Sequence, residues 1–501
     1  AVAQSRQAAT VIPIGIEPSF LALGAMHVAV GMNNRVHYYR CLPNDTTQVD
    51  EQEYLGKVDR ICLNERYTAV LSDGRITLHQ IEPNRDPANQ RRTFPEREDG
   101  AFARATAMAL TENFLLYGTQ AGTVEFFYLD QQEWAILSGA ELRHSTAIKA
   151  LYPNYLGTRV VVIDASNQGF IYNSVSAELT PIPAFPTHVQ HVMWDTADKN
   201  VFMVFDGQSK DLHTFVHTQS TIKGPVVSKI GPVDISPNGD FVMHPKPTPL
   251  SPGLHPICSH DGRITCQAAS GNIKVELAQA YEHKAAGGAT PLDRFKQNLA
   301  LLRLKDAWDA ALQLDARPYW LALSGKSMEV MDIQMAIRVY RQLGDPGMVI
   351  SLERISHVED KNLLAGHILL LFANHTGAQD LFLSSSRPVT ALEMQRDLLH
   401  WDQALKLAHT LAPAQWKKRI AEEGLRVEAL AARRAPRVHR RLGAEADRER
   451  EAARERLPGP DRAGSQQGGA RGRDQAEHQL PQGREVHARP HLQRPRPLGQ
   501  A

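Results

Sequence analysis

The amino-acid sequence predicts a multidomain protein in which a WD-type β-propeller is followed by an α-solenoid of helical hairpins resembling tetratricopeptide repeats, and then by a disordered tail. Three observations predict this order. Hairpin patterns recur over residues 1–275, the hydrophobic period becomes helical over residues 276–415, and residues 416–501 have the composition of a chain without a core. We therefore divide the chain into these three regions.

Six segments of the first region have the pattern of a β-hairpin, with a strand, a tight turn and a second strand. Their turns recur at intervals of about 40 to 50 residues, the length of one four-stranded propeller blade. The segments are 27–39, 68–81, 114–129, 160–173, 201–215 and 255–267, with a seventh candidate at 225–245. The glycines that we expect to supply the positive φ of such turns are Gly74, Gly122, Gly169 and Gly262.

The Trp-Asp dipeptide that names WD repeats is nearly absent from this region. Its single occurrence, Trp194-Asp195, is expected at the start of a strand-like segment rather than at the end of a blade's third strand. The repeats are therefore degenerate. The propeller prediction depends on the hairpins and their period.

Beyond residue 275 the apolar residues follow a helical period. One stripe comprises Ile333, Ala336, Ile337 and Tyr340. In the segment YRQLGDPGMV, Gly344 fits a left-handed C-terminal position, Asp345 an N-cap and Pro346 the first turn of the next helix. We expect further helix ends at Gly325 and at residues 386–388. Short turns between helices of 10 to 15 residues predict antiparallel hairpins, hence a solenoid.

A duplicated motif lies in the helical region, AWDAALQL at 307–314 and HWDQALKL at 400–407. In each copy a Trp, an Ala and a Leu share one helical face, so we expect the Ala to admit the neighbouring helix and the Trp to fill the groove. These residues are Trp308, Ala311 and Leu312, then Trp401, Ala404 and Leu405. The 93-residue separation fits three tetratricopeptide-like units or two HEAT-like units.

The last region is basic and lacks a core. Residues 416–501 hold 20 Lys and Arg against 12 Asp and Glu, although the whole chain has a net charge of +1. Residues 421–501 contain no aromatic residue, isoleucine, methionine or lysine. Such a segment cannot offset its ordering entropy, so we expect disorder. Two explanations stay open: a basic tail for nucleic acid, tubulin or acidic lipid, or out-of-frame translation of a G/C-rich gene.

Composition also bears on the compartment. Four cysteines in 501 residues are too few for a disulfide framework, which favours a reducing compartment. The longest apolar stretch, 363–373, falls short of the ~20 residues that a membrane-spanning helix needs. The chain starts with Ala1 and enters a hydrophobic segment directly, so we expect a fragment of a longer protein.

Few residues point to chemistry, and we predict no enzyme, cofactor, metal site or catalytic residue. The segment LSGKS at 323–327 has the end of a phosphate-binding loop, but Trp320 replaces the required glycine. A second cluster has metal-ligand residue types, but its members flank a hairpin turn and are expected on different faces of the strands. They are His255, Cys258, His260 and Cys266.

Long stretches of the sequence resemble one family. They are IEPSFLALGAMHVAVGMNNRVHYY, RITLHQIEP, WLALSGKSMEVMDIQMAIRVYRQLGD, HILLLFANHTGAQDLFL and ALEMQRDLLHWDQALKLAHTLAP. Residues 11–415 are similar to the WD-repeat and tetratricopeptide-like subunit of intraflagellar transport complex A, the WD repeat-containing protein nineteen family. Family members carry a first propeller before this one and more helical repeats after residues 411–413, and both are missing here.

The resemblance implies a non-enzymatic scaffold for retrograde ciliary transport, cilium assembly and entry of ciliary membrane proteins. It implies contacts with the other complex A subunits and, indirectly, with dynein and ciliary membrane cargo, at the cilium or flagellum, the basal body and the cytoplasm. We expect no nucleic acid partner and no membrane span. The contacts would use the propeller rim and the solenoid surface, with the polar loop 82–100 as a candidate docking arm.

Three alternatives from other classes stay open. A vesicle-coat-like trafficking subunit shares the propeller and solenoid plan. A propeller enzyme would use the His/Cys cluster, and a nucleic-acid binder would use the arginine-rich tail with salt-sensitive affinity. The missing aromatic residues of the tail weaken the last of these.

Overall fold

A computed structural model of the protein describes residues 11–42, 45–82, 91–95, 104–129, 135–136, 142–284, 289–411 and 425. The chain divides into two compact units, Ala1–Ala421 and Glu422–Ala501. The first unit contains all of the strands and helices below. The predicted disordered tail, residues 416–501, lies outside the described residues except for residue 425.

Six antiparallel sheets follow one another along the chain and form a six-bladed β-propeller, which confirms the predicted propeller fold. Blade 1 contains β1 (Phe20–Leu23), β2 (His27–Met32), β3 (Arg35–Arg40) and β4 (Gln48–Glu53). Blade 2 contains β5 (Val58–Leu63), β6 (Tyr67–Ser72), β7 (Arg75–Gln80) and β8 (Arg91–Phe94). Blade 3 contains β9 (Ala105–Leu110), β10 (Phe114–Thr119), β11 (Thr123–Tyr128), β12 (Ala135–Ile136) and β13 (Leu142–Arg143).

The remaining blades have a similar arrangement. Blade 4 contains β14 (Ile148–Pro153), β15 (Arg159–Asp164), β16 (Gly169–Asn173) and β17 (Glu178–Pro181). Blade 5 contains β18 (Val189–Trp194), β19 (Val201–Asp206), β20 (Asp211–Thr218) and β21 (Val226–Lys229). A separate hairpin, β22 (Val233–Ile235) and β23 (Phe241–Met243), follows, and then β24 (Thr248–Pro249) returns to pair with β20. Blade 6 contains β25 (Leu254–His260), β26 (Arg263–Ala268) and β27 (Ile273–Leu277).

All six predicted hairpins are present, and the seventh candidate at 225–245 contains the β22–β23 hairpin. At three turns the expected glycines have positive φ: 74° at Gly74, 83° at Gly122 and 76° at Gly262. The fourth turn differs, because Asn167 takes the left-handed conformation at φ 59°. Gly169 instead begins β16, where a Cβ atom would lie 2.6 Å from the Phe185 ring.

Buried side chains join each blade to the next. Ala29 of blade 1 shares a cluster with Val58 of blade 2, and Leu78 of blade 2 shares one with Met108 of blade 3. Equivalent clusters join blades 3 and 4, blades 4 and 5, and blades 5 and 6. On the other face of blade 1, Ile12 and Ile16 pack against a small cluster that includes Val30. The second strands of blades 2 and 4 are thus buried on both faces.

Blade 6 ends differently from the other blades. In blades 1 to 5 a further strand covers the third strand, but within the described residues no strand pairs with the outer edge of β27. Ile273 and Val275 of β27 are 59% and 58% exposed. The chain leaves the propeller directly after this strand, which makes β27 an open edge that leads to the helices.

Nine helices follow among the residues that are described up to 411, in agreement with the predicted helical solenoid. A short 3₁₀ helix at Gln279–Lys284 precedes them. They are α1 (Pro291–Ala300), α2 (Leu304–Leu314), α3 (Arg317–Glu329), α4 (Ile333–Leu343), α5 (Pro346–Ile355), α6 (Lys361–Leu371), α7 (His375–Leu383), α8 (Val389–Asp397) and α9 (Trp401–Leu411). None of these helices is long and apolar enough to cross a membrane.

Most predicted helix ends are correct. Gly344 ends α4 at φ 72°, and the Asp345 carboxylate accepts a hydrogen bond from the Met348 amide at the start of α5. The break at residues 386–388 separates α7 from α8. The predicted end at Gly325 is wrong, because α3 continues through it to Glu329 and Met331 takes the left-handed position. Gly325 costs little there, since tertiary packing of the surrounding helix outweighs its low propensity.

The duplicated motif lies on α2 and α9. Ala311 and Ala404 of the motif are fully buried, and Trp308, Trp401 and Leu405 are partly buried. On α4, the predicted packing residues Ala336 and Tyr340 are also buried. Trp308 packs edge-on against the buried ring of Trp320, with ring centroids 4.8 Å apart. Leu312 differs from the expectation, since 49% of it is exposed. Only the Trp and Ala positions of the first copy therefore face the neighbouring helix.

Candidate functional site

The first strand of each blade lines the central channel of the propeller. In five of these strands the register shifts by one residue, which marks a β-bulge. The residues that follow the bulges in blades 2 to 6 are Arg60, Ala107, Ala150, His191 and Cys258. The channel thus brings together side chains that are far apart in the sequence.

Arg60 is the charged member of a cluster in the channel that also contains Tyr152, His191 and Cys62; we call these four residues the channel cluster. Its guanidinium carbon lies 5.9 Å from the centre of the Tyr152 ring, although blade 3 stands between the two blades. Tyr152 in turn meets the His191 ring edge-on, with ring centroids 5.9 Å apart. Burial raises the pKa values of Tyr152 and of the nearby Cys62 thiol and lowers that of His191. Arg60 therefore carries its charge among neutral groups.

A second polar cluster holds blades 5 and 6 together. The buried carboxylate of Asp195 accepts hydrogen bonds from the Ser259 hydroxyl at 3.0 Å and from the backbone amides of Asp261 at 2.9 Å and Gly262 at 2.8 Å. It also accepts from the amides of Ala197 and Asp198 in its own loop. Trp194-Asp195 therefore ends the first strand of blade 5, and the prediction that it starts a strand is wrong.

The same region contacts the start of the solenoid. Arg303, the residue before α2, lies 3.5 Å from the Asp198 carboxylate and 3.4 Å from that of Asp261. Its guanidinium carbon lies 5.2 Å from the centre of the Tyr281 ring. Burial raises the pKa of Tyr281, so its hydroxyl stays protonated. We call Asp195, Asp198, Asp261, Tyr281 and Arg303 the joint.

Apolar contacts extend the connection between propeller and solenoid. Ile235 and Phe241 of the β22–β23 hairpin pack on a cluster of α1 to α4 that includes Phe295. The Lys326 ammonium lies 4.5 Å from the centre of the Phe241 ring, and the Ile222 amide donates to the Glu329 carbonyl at the end of α3. Ala300 and Leu301 pack into the core between blades 5 and 6. The described propeller and helices are thus one packed body.

The predicted metal-ligand types do not converge. Cys266 is buried, whereas His255, Cys258 and His260 are exposed, and His260 is hydrogen-bonded to Thr196. Among the described residues no group of three or more His, Cys, Asp or Glu side chains could hold a metal ion. The segment 323–327 lies inside α3, where the Ser324 and Ser327 hydroxyls donate to helix carbonyls.

The candidate docking arm, residues 82–100, is only partly described. Residues 83–90 and 96–100 lie outside the described part, but Arg91–Phe94 forms β8 and Phe94 is fully buried. A prediction of one continuous loop is therefore wrong. The centre of this segment is the fourth strand of blade 2, and the phenylalanine at position 94 was the sequence signal for a strand.

Sequence reasoning missed Arg60, Asp195 and Arg303. Asp195 and Ser259 are 64 residues apart, and Arg303 and Asp261 are 42 apart, so no local pattern connects them. A weak signal existed for Arg60, which is the one basic residue of the strand Val58–Leu63. Such a residue on a first strand indicates a channel-facing position.

Known proteins match this chain closely. The family model of the WDR19 second beta-propeller matches residues 1–280. WD repeat-containing protein 19 of Homo sapiens is 37% identical over 414 residues, which cover 81% of this chain and 29% of the human protein. WD repeat-containing protein dyf-2 of Caenorhabditis elegans is 29% identical over 440 residues, covering 82% of this chain and 30% of that protein.

The family match covers more than half of the chain, and the identity to the human protein extends past the propeller into the helices. The chain spans less than a third of the length of these relatives. The region it spans is a six-bladed propeller with degenerate WD repeats that packs on a helical solenoid. The chain therefore belongs to the family of WD-repeat proteins that carry the WDR19 second β-propeller.

Proposed function

We propose that the chain is a non-enzymatic scaffold subunit of intraflagellar transport complex A, acting in retrograde ciliary transport, cilium assembly and the entry of ciliary membrane proteins. The observation that carries the proposal is the 37% identity to WD repeat-containing protein 19 over 414 residues. Its partners would be other complex A subunits and, through them, dynein and membrane cargo. It would act in the cilium or flagellum, at the basal body and in the cytoplasm.

The packing of the propeller on the helices supports a scaffold. The joint, the Phe241 contact and the core that includes Leu301 hold the propeller against α1 to α3. A subunit with fixed geometry loses little conformational freedom on assembly, so more of its contact free energy becomes affinity. In this proposal residues 1–275 form the propeller part of the scaffold, residues 276–415 form the solenoid part, and the packing positions of α2, α4 and α9 hold neighbouring helices together.

Affinity purification from ciliated cells tests this proposal. The tagged full chain should enrich complex A subunits over an untagged control, as measured by quantitative mass spectrometry. The variant Leu312→Ala, which changes an exposed residue of α2, should enrich them equally. A variant with Gly262→Ala, which disturbs the joint, should enrich them less. Enrichment of vesicle-coat subunits in place of complex A subunits would favour the coat-like alternative and contradict the proposal.

A further inference from the structure

Among the described residues, the cation in the channel cluster of Arg60, Tyr152, His191 and Cys62 has no carboxylate counter-ion. Within the described part of the chain no carboxylate lies within ion-pair distance of Arg60, and its neighbours are the phenol, the imidazole and the thiol named above. A half-buried guanidinium is normally paired with an acid, because taking its charge out of water costs free energy. Arg60 is therefore arranged to receive an anion.

The guanidinium of Arg60 reaches from blade 2 to the Tyr152 ring of blade 4. The small side chains of Ala105, Ala107 and Ala109 on the first strand of blade 3 are buried in the cores that join this blade to its neighbours. The planar fork of Arg60 can present two parallel N–H donors to a carboxylate, the geometry that arginine provides best.

The charge of the cluster selects the kind of anion. Arg60 is the cation of the cluster, since burial keeps His191 neutral. One full positive charge matches one carboxylate better than a phosphate, which carries close to two negative charges at neutral pH. The cluster therefore fits an aspartate or glutamate side chain.

Apolar side chains on neighbouring first strands indicate that the carboxylate belongs to a peptide. Leu21 and Leu23 of β1 are about two-thirds exposed, and Ile257 of β25 is about half exposed. Blades 1 and 6, which carry them, are the first and last blades of the propeller. An extended segment that places an acidic residue beside aliphatic residues would cover these side chains and neutralise Arg60 together.

We propose that the central channel binds an aspartate or glutamate of an extended, partly aliphatic segment of a partner protein, with Arg60 as the charged donor and Tyr152 as the aromatic wall. The segment would enter at the end of the channel where the first strands begin, since the bulges place Arg60 near that end. This binding requires only the folded propeller, so it goes beyond the assembly role proposed above.

Peptide display against the full chain tests the proposal without knowledge of the partner. A random-peptide phage library should yield peptides enriched in Asp or Glu next to Leu, Ile or Val on the unaltered chain. The enrichment should be lost with Arg60→Ala and kept with Arg75→Ala, which removes an exposed arginine of the same blade outside the channel. No acidic enrichment, or equal enrichment with Arg60→Ala, would overturn the proposal.

An enriched peptide, labelled with fluorescein, then gives the affinity by anisotropy. Arg60→Ala should weaken binding by about tenfold or more, the usual loss for a hydrogen-bonded charge pair, and Arg60→Lys should weaken it less. Changing the peptide Glu to Gln should weaken binding to the unaltered chain. The same change should not weaken binding to Arg60→Ala any further. An unchanged melting temperature of Arg60→Ala would show that its fold is intact. If the melting temperature is lowered, Arg60→Lys is compared with the unaltered chain instead.

Inorganic phosphate provides the competing arm. If millimolar phosphate binds in an Arg60-dependent manner by titration calorimetry and displaces the peptide completely, the channel is a phosphate site and the peptide proposal is wrong. If phosphate fails to displace the peptide, the carboxylate reading holds. Because these measurements use purified protein, their failure leaves the ciliary assignment untouched.

Discussion

Asp195 illustrates how one buried carboxylate can connect two blades. Both of its oxygens accept hydrogen bonds from the turn of blade 6, and one also accepts from its own loop. Hydrogen bonds to an ionised acceptor are stronger than those between neutral groups, and a donor left unsatisfied in the interior costs free energy. The residue therefore fixes the angle between blades 5 and 6 as well as contributing to stability.

Removing this carboxylate should be costly. Asp195→Ala leaves several buried donors without an acceptor, so we expect the free energy of unfolding to fall by about 3 to 5 kcal/mol. Glu178→Ala, which removes an exposed carboxylate of blade 4, should change it by less than about 0.5 kcal/mol. Urea unfolding followed by tryptophan fluorescence measures both. Equal midpoints for the two variants would show that Asp195 is not structural.

His217 gives the propeller a pH dependence. The residue is buried in β20, and burial, with the charge of Arg159 adding to it, lowers its pKa to about 4. In the unfolded chain the pKa is near 6.5, so unfolding takes up a proton between these values and stability falls as the pH falls from about 6.5 to about 4. The loss from this residue is at most about 3 to 4 kcal/mol.

His217→Leu should remove that loss. We expect the variant to lose less stability than the unaltered chain between pH 7 and pH 4.5, as measured by urea midpoints at each pH. His188→Leu, at an exposed position, should retain the pH dependence of the unaltered chain. Parallel pH profiles for all three proteins would contradict the role of His217.

At the scale of elements, the turn between β25 and β26 is the tightest contact between propeller and helices. Gly262 has φ 76°, a conformation that L side chains rarely adopt, and a Cβ atom there would lie 2.0 Å from the Tyr281 ring. Gly271, between β26 and β27, has φ 81° but has no atom within 4 Å of its Cβ position. Substituting each of the two glycines therefore distinguishes the cost of a left-handed backbone from the cost of a clash with Tyr281.

The variants Gly262→Ala and Gly271→Ala should differ accordingly. Gly271→Ala should lower the free energy of unfolding only by the cost of the left-handed conformation, about 1 to 2 kcal/mol. Gly262→Ala adds the displacement of Tyr281, about 1 to 3 kcal/mol more. Thermal melting gives the order of stability, and hydrogen exchange should show added exposure at the 3₁₀ helix Gln279–Lys284 for Gly262→Ala alone. Similar exchange in both variants would rule out the tight fit.

Local sequence signals predicted many elements and failed where distant contacts decide. The hairpins and the ends of α4 and α5 were predictable, because Asx-Gly turns and an Asp cap act within a few residues. Gly325 was misread because the packing of α3 overrides a local breaker, and Gly169 because Asn167 can adopt the same left-handed conformation. The joint and the channel cluster include contacts between distant residues, such as Arg303 and Asp261 at 42 positions, which a single sequence does not reveal.

At the scale of the whole molecule, propeller and solenoid share their cores. Leu301 lies in the core of blades 5 and 6, and Phe241 of the inserted hairpin lies on the core of the first helices. Units that share buried residues unfold together when the shared contacts are strong relative to each unit alone. The described part of the first unit should therefore behave cooperatively.

Urea unfolding tests this cooperation. Tryptophan fluorescence and far-UV ellipticity should give the same midpoint for the unaltered chain. Arg303→Ala, which removes the ionic contact with Asp198 and Asp261, should separate the two midpoints. Arg341→Ala, which breaks an exposed ion pair of α4 with Glu353, should leave them coincident. Separate midpoints in the unaltered chain would show that the two parts are independent.

The open edge of blade 6 has a mechanical consequence. Any tension applied through the helices reaches the propeller at the end of β27, where it would peel this strand from β26 one hydrogen-bonded pair at a time, beginning at Leu277 and Arg263. Just beyond that point the Ala278 amide donates to the Gly262 carbonyl, and Tyr281 and Arg303 close over the same turn. The joint should therefore take this load before β27 does.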